Sequence, residues 1–196
     1  ECAEEEARIY YPTDGSAPLP GNRSSKLYRE PLYISENSTL RARAVAEGMV
    51  HSRPVTAVYH RLPSGITIDI KNDYSSMYPA SGDMALIDGI RGGEDFRTGL
   101  WHGYQGGDLD AVVDLGKVRD ISSISAGFLQ NQGSWIFLPV RVEYYISENG
   151  EDFKRVASLS HNVSPEMEGA VTREFSVYGL DARGRYVKIL ARNMGI

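Results

Sequence analysis

From Val140 to Ser147 the chain alternates Val140, Val142, Tyr144 and Ile146 with Arg141, Glu143, Tyr145 and Ser147, and Asn149-Gly150 follows directly. A period of two sends successive side chains to opposite faces of a strand, so this run predicts a strand with one buried face and one wet face. Asn-Gly suits a type I′ hairpin turn, in which both central residues take positive φ. Short runs of the same kind recur along the chain between Gly, Asn, Asp and Pro, while helical periodicity is scarce, and together they predict an all-β fold. Ile121, Ile124 and Phe128 mark one further strand, Val171 to Tyr178 another, and Arg185 to Ala191 a third, where Tyr186, Lys188 and Leu190 alternate against Val187, Ile189 and Ala191. Most of the 12 Tyr are expected in core and barrel wall.

Bulk properties remove whole classes of function. The 196 residues allow one large or two small domains, and a hydrophobic share of 41% describes an ordinary globular chain. No apolar run approaches the roughly 18 residues that a membrane helix needs, so no membrane insertion is expected. With 26 acids against 21 bases the formal charge is −5, and no basic stripe is present to draw nucleic acid or an anionic membrane surface. Cys2 is the only cysteine, which leaves no intrachain disulfide and no thiolate zinc cluster. The chain starts Glu1-Cys2-Ala3 with neither an initiator Met nor a signal peptide, and it is expected to be a piece of a longer polypeptide.

The first sixty residues read as a separate unit. Arg8-Ile9-Tyr10-Tyr11 predicts a strand, Thr13-Asp14-Gly15-Ser16 a turn, and Ser38 to Ala44 a strand near a break at Gly48. The pattern from Ile9 to Pro18, then Leu27-Tyr28, Pro31-Leu32 and Ser38-Thr39-Leu40-Arg41-Ala42, resembles the small immunoglobulin/fibronectin-like β-sandwich on the C-terminal side of chitobiases and β-hexosaminidases. Pro12 and Ala17 depart from the commoner Thr and Glu of that pattern. Arg61-Leu62-Pro63-Ser64-Gly65 supplies a short linker with Pro and Gly, which places the domains at 1–62 and 63–196.

The second unit carries Tyr74-Ser75-Ser76 with Tyr78-Pro79, then Ala85-Leu86-Ile87-Asp88-Gly89, Trp101, Val112-Val113-Asp114-Leu115-Gly116, and Pro139-Val140 leading to Ser147-Glu148-Asn149-Gly150. These segments resemble, in order, a discoidin module, the coagulation-factor type C domain, which is a galactose-binding-like β-jelly-roll related to family 32 carbohydrate-binding modules. The family usually adds a last strand after the segment that is here Arg185-Tyr186-Val187-Lys188, and on this reading the jelly roll lacks it. The order of the two resemblances is similar to the C-terminal accessory region of a family 20 glycoside hydrolase of gut Bacteroidetes, a β-N-acetylhexosaminidase. The resemblance implies a catalytic domain upstream as partner, a terminal N-acetylhexosamine as substrate, and a periplasmic, cell-surface or secreted location.

The candidate residues follow from the chemistry each role needs. Glycoside hydrolysis takes two carboxyl groups fixed across the scissile bond. Family 20 enzymes use an adjacent Asp-Glu pair, whereas Glu94-Asp95 and Glu151-Asp152 are reversed and lie in Gly-flanked loops, so no catalytic residue is expected. His51, His60, His102 and His161 lack the spacing of a metal helix, and three of the four are expected to be plain surface or interface groups. Calcium takes six to eight oxygens. The family's calcium loop is matched by Ala85, Asp88 and Gly89, with Thr98 offset by a residue and Trp101 arriving late. The resemblance thus implies a structural Ca2+ at Ala85, Asp88 and Thr98, the other reading of Asp88 being an Asx-turn cap.

Sugar recognition pairs an aromatic face with planar polar groups. The family places its site on loops that correspond here to Glu94–Tyr104 and Gln130–Phe137. The candidate glycan contacts are therefore Trp135, Asn131, Gln132, Gln130, Arg97, His102 and Glu94, for a galactose or N-acetylhexosamine glycan. Trp135 is either a stacking platform or a ring buried under its loop, and Trp101 is expected in the core, where its family counterpart packs. Three readings compete: a non-catalytic carbohydrate-binding region, a structural spacer that packs on the catalytic barrel without binding sugar, and a protein- or lipid-binding discoidin module. The last would need exposed apolar spikes flanked by Lys and Arg, and ranks third. An exposed Trp135 favours the binder, a buried one the spacer.

Overall fold

In the computed structural model the described residues are 6–59, 61 and 64–195. Cys2, His60, and Leu62 and Pro63 of the expected linker lie outside them. The chain divides into two compact units, 1–62 with 88–91, and 63–87 with 92–196.

The first unit is a four-stranded antiparallel sheet in the order β2-β1-β3-β4, built from β1 (Arg8–Tyr11), β2 (Lys26–Leu27), β3 (Ser38–Val45) and β4 (Val55–Tyr59). The turn after β1 forms where it is expected. Asp14 Oδ1 accepts from Ser16 N at 2.9 Å, and Gly15, at φ 79°, donates from its N–H to Thr39 O at 2.8 Å. Hydrogen bonds from Ser16 and Ser24 hold the Asp14 carboxyl at a pKa of about 2.

The second unit is a five-stranded antiparallel sheet in the order β5-β6-β9-β7-β8: β5 (Thr67–Ile70), β6 (Leu109–Asn131), β7 (Arg141–Ser147), β8 (Lys154–Leu159) and β9 (Ala170–Arg192). The separate strands expected around Ile121, Val171 and Arg185 are thus parts of β6 and β9, each of 23 residues. A straight strand of that length would span about 75 Å at roughly 3.3 Å per residue, far beyond the girth of a unit this size. The β6–β9 pairing therefore breaks register, between Asp114 and Arg119 and again between Ile121 and Ser123. Gly116, at φ 77°, lies in the first break, and Gly184 faces it on β9, where an added Cβ would come within 2.3 Å of Ile146 Cγ2. Bulges bend and twist a strand. The bend brings the Ile124–Phe128 and Phe175–Val177 ribbon onto the same core as Leu109, Ala111, Val142, Tyr144 and Ala191, and Tyr144 Oη donates to Phe175 O at 2.7 Å. The result is the two-layered, all-β jelly-roll architecture that the sequence implied.

Two details of β7 differ from expectation. Glu143 and Ser147, read as wet, are 4% and 3% exposed, whereas Val140, read as buried, precedes the strand and is 50% exposed. β7 lies between β8 and β9 and is covered on both faces, and Arg155 Nη1 meets the Glu143 carboxylate at 2.8 Å. Nor does Asn149-Gly150 form a type I′ turn: Gly150 has φ 83°, but Asn149 is not in the positive-φ region. Instead the Asn149 side chain organises a longer loop, its Oδ1 accepting from Ser147 Oγ, Glu151 N and Asp152 N at 2.9–3.0 Å.

Acid–base pairs tie β9 to β6 and to Asp108 just before it. Arg185 grips Asp114 through two hydrogen bonds of 2.7 and 2.8 Å, Lys188 meets Asp110 at 2.9 Å, and Arg192 meets Asp108 at 2.6 Å. Arg185 holds the Asp114 carboxyl below the usual range. Burial would raise Asp108, but hydrogen bonds from Asn193 N and Arg192 outweigh it and hold this carboxyl low as well.

Candidate functional site

The Gln130–Phe137 segment links the end of β6 to β7. Asn131 and Ile136 exchange backbone hydrogen bonds of 2.9 and 3.1 Å, and between them Gln132–Ser134 form a single 3-10 turn that Trp135 N closes onto Gln132 O at 3.0 Å. To close this hairpin Trp135 takes φ 57°, one of only two non-glycine residues with positive φ among the described residues. The left-handed region disfavours a residue with a Cβ by roughly 1–2 kcal/mol. The indole is nevertheless 78% exposed, with its edge toward Phe137 at a centroid distance of 6.3 Å. Buried, a Trp removes about 150–250 Å² from water, worth several kcal/mol at ~25 cal/mol/Å², which this residue forgoes. Of the two readings of Trp135, the structure has the ring out of the core. Gln132 is exposed beside it and Asn131 half-buried.

Gln130 is placed otherwise. It is 1% exposed, and its Nε2 donates to Ser164 O at 2.7 Å. Together with Leu138, Val140 and the 161–165 segment it lines a cavity of about 200 Å³ that opens at the surface. His161 also lines this cavity. Its ring stands edge-on to Phe175 at 5.9 Å, and its Nδ1 accepts from Val163 N at 3.1 Å. The sequence reading gave His161 no role. Its only sequence signal is a backbone partner two residues on, which composition does not reveal.

The second expected loop, Glu94–Tyr104, is closed upon itself. Asp95 Oδ1 caps the short turn Phe96–Thr98 by accepting from Arg97 N at 3.0 Å, and Arg97 Nε lies 3.4 Å from the same oxygen. The Arg97 guanidinium stands 5.5 Å from the Phe96 ring centre. Trp101 Nε1 donates to Gly93 O at 2.9 Å, and the indole lies so close to Gly92 that a Cβ there would come within 2.3 Å of the ring. Trp101, expected in the core, is instead half-buried and packs against its own loop at Gly92 and Gly93, outside the core cluster. His102 stacks on Tyr74 at 4.1 Å and donates from Nε2 to Gly82 O at 3.1 Å. Its Nδ1 and the neighbouring Tyr104 Oη are buried with no hydrogen-bond partner among the described residues. Burial drives the Tyr104 phenol well above its usual pKa, and a hydrogen bond to Asp83 raises that of Tyr74. Glu94 is exposed on the loop.

The residues expected to hold calcium are engaged locally. Ala85 lies in the 3-10 turn Asp83–Leu86 and donates to Gly82 O at 2.9 Å. Asp88 Oδ1 accepts from Ile90 N at 2.8 Å, which is the Asx-turn cap of the second reading. Thr98 turns its hydroxyl onto Asp95 O at 2.9 Å. Among the described residues no three His, Cys, Asp or Glu side chains converge to hold a metal. Taken one by one, these residues fit closed turns better than the open oxygen shell of calcium.

Comparison with known proteins gives one match to a family model, described as Fn3 associated, over residues 1–59 of the chain. No curated protein sequence matches the chain. Among solved structures it is similar to the Clostridium perfringens module CpGH89CBM32-5, solved in complex with GalNAc-β-1,3-galactose. That likeness has 15% identity and a TM-score of 0.46 over 68% of this chain and 91% of that one. The C-terminal domain of a chitobiase from Bacteroides fragilis is similar at 16% identity and a TM-score of 0.42 over 68% of this chain and 85% of that one. A fucolectin from striped bass serum is similar at 22% identity and a TM-score of 0.46, over 66% of this chain and 42% of that one. At these scores the function has to be read from the chain's own residues.

Proposed function

We propose that this chain is a non-catalytic carbohydrate-binding region that holds a glycoside hydrolase near its glycan, with Trp135 as the platform for the pyranose ring and the Asn131 and Gln132 amides beside it for the hydroxyls. The exposure of the Trp135 indole carries the reading. A large ring held at positive φ and 78% exposed is unfavourable for the free protein on both counts, and a ligand that stacks on it recovers the apolar contact. Arg97 and His102 are left out of this platform, because they are engaged within their own loop or against Gly82, while Glu94, exposed on that loop, stays a candidate contact. A linked second binding site raises the local concentration of the enzyme at its substrate without any need for high affinity.

The finer part of the proposal follows the sequence resemblance. The hydrolase is a β-N-acetylhexosaminidase acting on terminal N-acetylhexosamine, its catalytic domain lies upstream, and it works in the periplasm, at the cell surface or outside the cell. Calorimetric titration with galactose, N-acetylgalactosamine and N-acetylglucosamine glycans, with calcium and then with chelator, tests the binding. Saturable binding that Trp135→Ala removes while the thermal transition stays in place is expected. Absence of binding to every glycan in both conditions would leave the spacer reading in its place.

A further inference from the structure

We infer that the cavity at the base of the Trp135 hairpin is an acetamido pocket, and that it makes the chain select N-acetylated hexosamines over the corresponding hexoses. This inference rests on the glycan-binding reading of Trp135 and narrows the ligand. The hairpin that carries Trp135 at its tip has Gln130 at one foot and Leu138 at the other, and both line the cavity.

The polar groups of the cavity are few, and their roles are fixed. The Gln130 side chain is almost wholly buried, and its Nε2 is taken by Ser164 O. That bond fixes the amide orientation and leaves Oε1 as an acceptor with no partner among the described residues. His161 Nδ1 receives the Val163 N–H, so in the neutral ring the proton sits on Nε2, which has no partner among the described residues either. The edge-on contact with Phe175 sets the orientation of this ring. Among the side chains that line the cavity, Gln130 Oε1 and His161 Nε2–H are therefore the acceptor and the donor still available. The rest of its wall is apolar: Leu138, Val140, Val163, Pro165 and Met194.

A secondary amide bearing a methyl group complements this set. Its N–H would donate to Gln130 Oε1, its carbonyl would accept from His161 Nε2–H, and its methyl would meet the aliphatic wall. A free hydroxyl at the same sugar position cannot reach both partners and brings no methyl. At ~30 Å³ for the volume share of one water, a cavity of about 200 Å³ has room for the four heavy atoms of an acetamido group. Sites built to hydrogen-bond a ligand group discriminate against the analogue that lacks it.

The test is a paired calorimetric titration of the full chain with methyl glycosides of N-acetylglucosamine against glucose and of N-acetylgalactosamine against galactose, repeated on His161→Phe and Trp135→Ala. The N-acetylated sugar of a pair is expected to bind roughly tenfold to a hundredfold more tightly, from two hydrogen bonds and one buried methyl. His161→Phe keeps a ring against Phe175 but removes the donor. It is expected to bring the ratio down by about fivefold while the affinity for the plain hexose holds. Trp135→Ala is expected to weaken both members of a pair alike. Equal affinity within each pair, or an undiminished ratio in His161→Phe, would overturn the acetamido pocket and leave the Trp135 reading standing. Absence of binding by all four sugars would overturn both.

Discussion

Two loops in the second unit, Glu94–Tyr104 and Gln130–Phe137, have related sequences: each holds a Trp, at least one Gly and several polar side chains. They differ in where the polar groups are engaged. In the first loop the side chains close the loop: Asp95 caps the turn, Thr98 donates to Asp95 O, Trp101 to Gly93 O, and His102 reaches Gly82 O. In the second the backbone alone closes the hairpin through Asn131, Ile136 and the Gln132 carbonyl, and the Trp135 indole is left to solvent. Composition marks both as candidate sugar loops; the hydrogen bonds among the described residues separate them, since the first loop keeps its two unpartnered atoms, His102 Nδ1 and Tyr104 Oη, buried, whereas the second turns its Trp135 indole to solvent.

Glycine substitutions should show this contrast most strongly. Gly92→Ala drives a Cβ to 2.3 Å from the Trp101 indole, and overpacking of this kind is expected to destabilise by about 1–3 kcal/mol, read as a lowered Tm. Gly133→Ala, whose Cβ would find nothing nearer than Asn131 Oδ1 at 3.7 Å, is expected to stay within ~0.5 kcal/mol of the parent. Similar losses at both positions would erase the distinction between the loops.

A second effect separates stability from binding within the hairpin. Trp135→Gly relieves the positive φ while removing the indole, so the expected outcome is a Tm at or above that of the parent together with at least a tenfold loss of glycan affinity. A drop in Tm of several degrees would mean that the ring supports the fold. His102→Phe does the reverse. It keeps a ring against Tyr74 but gives up the bond to Gly82 O, so stability should fall by about 1 kcal/mol while glycan affinity holds. Lost affinity in that variant would return the Glu94–Tyr104 loop to the binding site.

Acid gives the most gradual effect, and one in which the hairpin has no part, since Gln130–Phe137 contains no carboxylate. Asp14 has its folded pKa lowered to about 2, and Asp108 and Asp114 are also held below their ordinary range. A depressed folded pKa means that the stabilisation is complete above the unfolded value of about 3.9 and is lost as pH falls through the folded one. Thermal unfolding should therefore be level from neutral pH to about 4 and shift downward toward pH 2. A decline that begins near pH 6 would point to groups other than these carboxylates.

The legibility of these features in the sequence followed the range of the interactions involved. β1 and the Asp14-Gly15 turn depend on neighbours in sequence, and both formed where the pattern placed them. Glu143 read as a wet strand position because alternation reports one strand at a time, whereas it is 4% exposed with the Arg155 side chain of β8 and that of Arg141 lying against its carboxylate. Asn149-Gly150 misled because the Asn149 side chain, by accepting three hydrogen bonds, favoured a longer loop over the two-residue turn. Trp135 could be named as a candidate but not assigned to surface or core, since that depends on how the backbone of the hairpin closes. The Gln130–Ser164 bond spans 34 residues, and with it the role of His161 lay beyond any local pattern.

Because the chain has only two Trp, the central claim can be tested on two indole resonances. In a 1H–15N spectrum of the full chain titrated with the methyl β-glycoside of N-acetylglucosamine, the exposed Trp135 indole N–H should shift saturably. The Trp101 indole N–H, bonded to Gly93 O at 2.9 Å, should not move. A shift at Trp101 with Trp135 unmoved would place the sugar on the other loop and contradict the account.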